Sequence, residues 1–284
     1  MKVQPARLDP KGRKWRLMTH APMSAPDNMA VDEALVKSHA EGVSLPVLRL
    51  YRWEPPGLSF GYFQSFSREV DPENCQKRGI DWVRRMTGGR AVLHQHELTY
   101  AVILHTKLLP GSVMATYRAL SEALVRGFKG LGLDAELASG PAPTSASRSV
   151  GSAACFDSAT PFELVVQGRK VVGSAQGRQH GVLLQHGSVP LQLDRDAIVD
   201  CLNLGSPSRR RAVRRTLENK AISLSEALGR PVEFDETARA LAQGFRDQFG
   251  LCWVEEDLTL KETASVRTLS KEKYASENWN QAIK

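Results

Sequence analysis

The sequence predicts an α+β fold: a mixed, mostly antiparallel sheet flanked by helices, in one large domain. Two observations carry that reading. Short segments rich in β-branched and aromatic residues are separated by Gly and Pro turns, and amphipathic helical segments flank these runs. At 284 residues the chain is long enough for a sizeable core. No internal repeat is visible.

The elements follow in order. "APDNMAVDEALVKSHAEG" reads as a helix capped by Asp27 or Asn28 and ended by Gly42, with Met29, Ala30, Ala34 and Leu35 at helical spacing. "LPVLRLYRWEPPGLSFGYFQ" reads as two strands broken at Pro-Pro-Gly. "CQKRGIDWVRRMTGGRAVLHQHELTYAVIL" supplies a strand to Arg85, a turn at Gly88-Gly89 and two more strands. "SVMATYRALSEALVRGFKGLGL" is a strongly amphipathic helix closed by Gly130 and Gly132. Residues 138–150 are rich in Pro, Ser and Ala, without periodicity, and such loops are usually functional. "FELVV", "KVVGSAQ" and "VLLQHGSVPLQL" then read as one antiparallel meander, with "GRQHG" as a polar link. Past residue 196 the chain turns helical, and from residue 254 it is highly charged.

Composition narrows the function classes. Hydrophobic residues make up 42% and charged residues 24%, as in soluble proteins. The polar, basic start is unlike a secretory signal and no apolar run approaches a membrane span, so a cytoplasmic location is expected. Four cysteines, tens of residues apart and without a C-x-x-C pair, argue against a disulfide framework and a structural zinc site. The net charge of +7 points to an acidic partner. Its densest run, "SRRRAVRR" at 208–215, has no accompanying nucleic-acid-binding motif and reads as a solvated helix face or loop.

"GSAACFDSATPFELVVQGRKVVGSAQ" places Cys155 fifteen residues before Lys170. Locally the pair reads either as a nucleophile with an activating cation or as a core thiol near a snorkelling lysine. The valines around the Gln167-Gly168 turn put Lys170 on a face with Val172, its ammonium near the interior. "RRMTGGR" (84–90) is either a plain hairpin turn or a loop whose bare amides approach a carbonyl or carboxylate. His94 and His96 alternate as on one strand face, and His180 and His186 lie six apart. Convergent ligands for a metal are lacking, and none is expected.

Three of these stretches occur together elsewhere. "RRMTGGRAVLHQHELTYAV", "GRKVVGSAQ" and "LQHGSVPL", with "DNMAVDEAL" and "LENKAISLSEALGR" flanking, resemble the lipoate–protein ligase A / octanoyltransferase superfamily over residues 15 to 250. "SAACFD" ahead of "GRK" is similar to its LipM-type branch, the octanoyl-[acyl carrier protein]:protein N-octanoyltransferases. The resemblance implies a biotin/lipoate ligase-like (class II synthetase-like) catalytic domain over 15–250, with a charged extension at 251–284 packed on it. It implies that Cys155 carries an acyl thioester and that Lys170 lowers its pKa. Arg85, Thr87, Gly88, Gly89, Arg90, His94 and Gly173 fall to substrate binding. No cofactor is implied. The implied donor is octanoyl-acyl carrier protein, and the acceptor a lysine of a lipoyl domain or glycine-cleavage H protein.

Three other readings share these residues. An ATP-dependent ligase would use Lys170 on an acyl-adenylate and need no Cys155, and it usually carries "GGGAVYHD" where this chain has "TGGRAVLH". An amidotransferase between lipoyl proteins would use the same cysteine on another donor. A non-catalytic binding module would use only the basic face. The chain also departs from the common "LHDQELTY" at Gln95-His96, while His94 stays in register.

Overall fold

The computed structural model describes residues 13–138 and 162–283. Its main sheet has six strands: β1 (Lys14–Thr19), β2 (Val47–Tyr51), β6 (Glu97–His105), β10 (Gly173–Gln179), β11 (Val182–Pro190) and β12 (Cys252–Glu255), in the order β10-β11-β6-β2-β1-β12. The β10, β11, β6 and β2 pairings are antiparallel, and the β2-β1 and β1-β12 pairings are parallel.

Both faces of this sheet are covered, so its central strands are apolar throughout rather than alternating. On one face Trp15, Leu48, Tyr100, Val102 and Leu104 pack beneath helices α4 (Val113–Gly130) and α8 (Phe234–Phe249). On the other, Val47, Tyr51, Ala101, Ile103 and Leu184 pack beneath α1 (Ala25–Ala40). Helix α1 is itself covered by α9 (Leu260–Leu269) and a π turn at Ser270–Tyr274. That is why Asn28, Asp32, Glu33 and His39 of α1 are buried although polar.

Two small sheets complete the fold. Strand β3 (Gly57–Phe60) pairs in parallel with β4 (Asp81–Arg84) and antiparallel with β5 (Val92–His94). Their core is shared with α3 (Pro72–Lys77), α5 (Arg195–Asp200) and α6 (Pro207–Lys220), which follow the short helix α2 (Phe66–Glu69) in chain order. Strands β7 (Ala135–Leu137), β8 (Leu164–Val166) and β9 (Arg169–Lys170) form the other antiparallel sheet. Helices α7 (Leu224–Leu228) and α10 (Glu277–Asn280) complete the set.

Several local expectations change. The α1 cap is Ser24, whose hydroxyl accepts the Asp27 N–H at 3.3 Å, rather than Asp27 or Asn28. Pro26 in the first turn, which needs no N–H there, sets the earlier start. The single meander is two pieces: β8 and β9 leave with β7, while β10 and β11 join the main sheet. Strand β10 runs on through "GRQ", and the link shrinks to His180-Gly181, both with positive φ. His94 and His96 do not share a face, because His96 (φ 52°) turns the chain and is exposed while His94 is buried. The 208–215 run is helix α6, and the charged tail holds β12, α9 and α10.

Candidate active site

The glycine loop between β4 and β5 is braced from within by two buried arginines. Arg85 Nη1 donates to Ser59 O and Ser59 Oγ, both at 2.8 Å, and Nη2 to Gly88 O and Arg90 O, both at 3.0 Å. Arg84 donates to Tyr62 O and Gln64 O at 2.6 Å, and reaches Trp279 O (3.0 Å) and Asn280 O (2.9 Å). The Tyr62 amide donates to Thr87 O at 2.8 Å. The carbonyls of Thr87, Gly88 and Arg90 are thus all engaged inside the protein. Gly89 has φ +93°, a conformation that glycine adopts without steric cost. Its carbonyl oxygen lies 2.0 Å from where a Cβ on Gly61 would stand, so Gly61 has to be glycine for the loop to seat.

The loop closes a narrow cleft of about 30 Å³. Met29, Tyr51, Trp53 and Val92 give it apolar walls, and Gly173 to Ala175 with His186 to Ser188 form its sheet side. Arg85, Gly89 and His94 also line it. His94 stacks on Trp53 at 4.0 Å. Its Nε2 lies 2.7 Å from Ser59 Oγ and its Nδ1 3.1 Å from Thr99 Oγ1. Ser59 Oγ accepts from Arg85, so its own proton is free for Nε2. Thr99 Oγ1 gives its proton to Glu97 at 2.6 Å, so it accepts from Nδ1–H and from Trp53 Nε1 at 2.8 Å. Burial pushes His94 below the ordinary histidine range, against the pull of Glu97. The ring is a neutral, saturated wall of the cleft.

Thr87 stands behind the loop rather than in the cleft. Its hydroxyl lies 2.7 Å from His186 Nε2, and His186 Nδ1 lies 3.0 Å from Asp32 Oδ2. Asp32 also accepts from Arg49 (2.8 Å) and Tyr51 (3.1 Å). Burial would raise the Asp32 pKa, but His186 and Arg49 outweigh it and hold the carboxyl below its ordinary value. The hydroxyl–imidazole–carboxylate order is that of a nucleophile triad. Thr87, at 2% exposure and outside the cleft lining, is instead the anchor of the glycine loop on β11 and α1.

Lys170 is buried, and its Nζ lies 2.7 Å from Glu163 Oε1. The Gln167-Gly168 turn has φ of 53° and 71°, the geometry of a tight two-residue hairpin. The hairpin sets Lys170 opposite Val165, diagonal to Glu163 on the same face. Three residues on, Gly173 opens onto the cleft. Cys155 lies outside the described residues, as do residues 139–150 of the loop before it. Of the other cysteines, Cys75 and Cys201 are buried and Cys252 is exposed. The adjoining Cys201 thiol and burial push Cys75 well above the ordinary thiol range.

Arg85, Gly89, His94 and Gly173 therefore meet at one cleft. Thr87, Gly88 and Arg90 shape its loop, and Lys170 lies three residues before Gly173 in the chain. The sequence reading passed over Glu163, the Asp32–His186 link and the Trp53 stack. Glu163 had a signal, since its offset of seven from Lys170 across a two-residue turn puts both on one face. The other two join elements far apart in the chain. Among the described residues no group of three or more His, Cys, Asp or Glu could hold a metal ion.

The chain belongs to the lipoyl protein ligase A/B catalytic domain family, which it matches over residues 24–246. It is 46% identical to octanoyltransferase LipM of Kyrpidia tusciae over 94% of this chain and 98% of that one. Against octanoyltransferase LipM of Bacillus subtilis it is 41% identical, over 94% and 97%. Among solved structures it is similar to the bi-partite lipoate protein ligase of Thermoplasma acidophilum, at 26% identity and TM-score 0.79, covering 95% of this chain and 97% of that one. A lipoate-protein ligase A bound with ATP is 27% identical with TM-score 0.77, covering 95% and 100%. The fold is thus the lipoate ligase-like one the motifs imply. No helix among the described residues is long and apolar enough to cross a membrane.

Proposed function

We propose that this chain is an octanoyltransferase of lipoate biosynthesis that carries the acyl group on Cys155. The observation that supports it most is the near full-length similarity to proteins named octanoyltransferase LipM. The donor is octanoyl-acyl carrier protein, and the acceptor a lysine of a lipoyl domain or glycine-cleavage H protein.

In this reading Lys170, steadied by Glu163, is the cation that favours the Cys155 thiolate. The thiolate attacks the octanoyl thioester carbonyl, the carrier thiolate leaves with a proton given up by the Lys170–Glu163 pair, and the octanoyl group rests on Cys155. Amides of Gly89 and Arg90, whose neighbouring carbonyls are engaged inside the protein, stabilise the oxyanion. The acceptor amine then attacks, the amide forms, the thiolate is restored, and the Lys170–Glu163 pair takes up the amine proton. Thioester to amide is downhill, so no nucleotide is consumed. The octanoyl chain lies in the cleft against Val92, Trp53 and Met29.

The test is intact-protein mass after mixing with octanoyl-acyl carrier protein without ATP, for the native chain and for Cys155→Ala. The expected result is a hydroxylamine-labile octanoyl adduct on the native chain alone, discharged when the H protein is added. The solved ligases of this fold, one of them bound to ATP, give the contrary outcome its meaning. No adduct, with acceptor modified only from free octanoate and ATP, would make the chain a ligase.

A further inference from the structure

Helix α6 is the most basic element of the chain, with five arginines and Lys220 against one acid, Glu218. Its inner face is apolar: Val213 and Leu217 are buried in the small core. One flank is neutralised, Arg210 by Asp200 and Arg214 by Asp196 and Glu218. Arg211 and Arg215 lie opposite Val213 and Leu217 on the helical wheel. Both are exposed, and among the described residues no ion pair holds either one.

The C-terminal end of α6 abuts the Lys170 hairpin, and the segment before its N-terminus abuts α2. Before its N-terminus, Asn203 donates to Ser67 O at 2.9 Å, and Glu69 lies within Coulombic reach of Arg209, Arg90 and Arg68. After its C-terminus, Ala221 bridges to Lys170, and the Ile222 amide donates to Lys170 O at 3.0 Å. At the helical rise, Arg215 and Arg211 lie about 9 and 15 Å from Ala221 along the axis.

We propose that the Arg211–Arg215 face of α6 is the docking surface for the donor: the acidic face of the carrier protein that presents the octanoyl thioester on its phosphopantetheine arm. This rests on the octanoyl-transfer reading. The offset from Lys170 selects the donor over the acceptor. A carrier with a long arm has to dock at a distance from the reacting atoms, whereas an acceptor lysine reaches them only from a body seated against the cleft. The charge acts chiefly on encounter, so it sets KM for the donor and its salt dependence more than turnover.

The test compares two octanoyl donors, the carrier protein and the small N-acetylcysteamine thioester, on the native chain, on R211E/R215E and on the milder R211Q/R215Q. Adduct formation is followed by intact mass. The expected result is a rise of about tenfold or more in KM for the carrier with R211E/R215E, less with R211Q/R215Q, and a flatter salt dependence in both. Kinetics with the small thioester and with the acceptor stay at the native level. An unchanged carrier KM, an equal loss with both donors, or a rise confined to the acceptor KM would each overturn the docking surface while leaving octanoyl transfer standing. A native chain inert toward both donors would overturn the octanoyl-transfer reading and the docking surface together.

Discussion

Lys170 and Glu163 are a buried ion pair, and breaking one half exposes the cost of the other. Lys170→Met takes this ammonium from the buried Glu163 carboxylate, and losing one half of a buried pair costs about 3–5 kcal/mol. The double variant Lys170→Met/Glu163→Gln removes that charge. It should recover most of the stability in urea unfolding while transfer stays as low as in the single variant. Recovery of transfer along with stability would make Lys170 a structural cation only. Asp32, His186 and Thr87 work at the same scale, pinning the glycine loop to β11 and α1 through hydrogen bonds of 2.7 and 3.0 Å.

Between elements, two helices approach closely where α4 crosses α8. A Cβ on Gly244 would stand 2.4 Å from both Ala123 O and Gly127 N, which are backbone atoms that cannot swing aside. Gly244→Ala gains about 0.5–1 kcal/mol of helix propensity but forces the helices apart. Overpacking of this kind costs typically about 1–3 kcal/mol, so the urea midpoint should fall. Gly130→Ala, at the end of α4 with open space around the site, is the control and should raise it slightly. A higher midpoint for Gly244→Ala would mean that the helices yield freely. The amphipathic pattern of α4 and α8 is plain in the sequence. That of α1 is not, because α9 and the π turn cover its second face, and Arg49, Lys273 and Tyr274 meet the buried carboxylates of Asp32 and Glu33.

Across the whole molecule, buried histidines set the response to acid. Burial pushes His20 down to about 4, helped by Arg49 and opposed by Asp257. His39 falls to about 4 for the same first reason, and His94 is lowered as well. An unfolded histidine binds its proton near pH 6.5, so below that the unfolded state holds more protons than the folded one. Stability should therefore be level above about pH 7 and decline from about 6.5 to 4. Carboxylates such as Asp32 and Glu262 are held below their ordinary values against burial. They add a further loss below about pH 5, where the unfolded forms take up protons first. Urea unfolding across this range checks it, and His39→Gln should shallow the slope. A profile level to about pH 5 would mean that these rings protonate in the folded state.

Much of the molecule is legible without coordinates, and the limits are physical. Strand and helix positions follow from local period and from turn residues such as Gly42, Gly88-Gly89 and Gln167-Gly168, because those signals act within a few residues. The same locality makes "RRMTGGR" and "GRK" recognisable and puts Lys170 on a face with Val172, whereas the burial of its ammonium against Glu163 is decided by the fold. Which sheet a strand joins is not local, and the expected meander divides between two sheets on that account. Nor are the partners of the site's polar groups: Asp32 meets His186 across 154 residues, and Arg16 meets Glu262 across 246. Each of those groups is buried and needs a partner, a demand readable in the sequence. Only the tertiary packing decided which one it found, since burial brings together residues that no spacing along the chain relates.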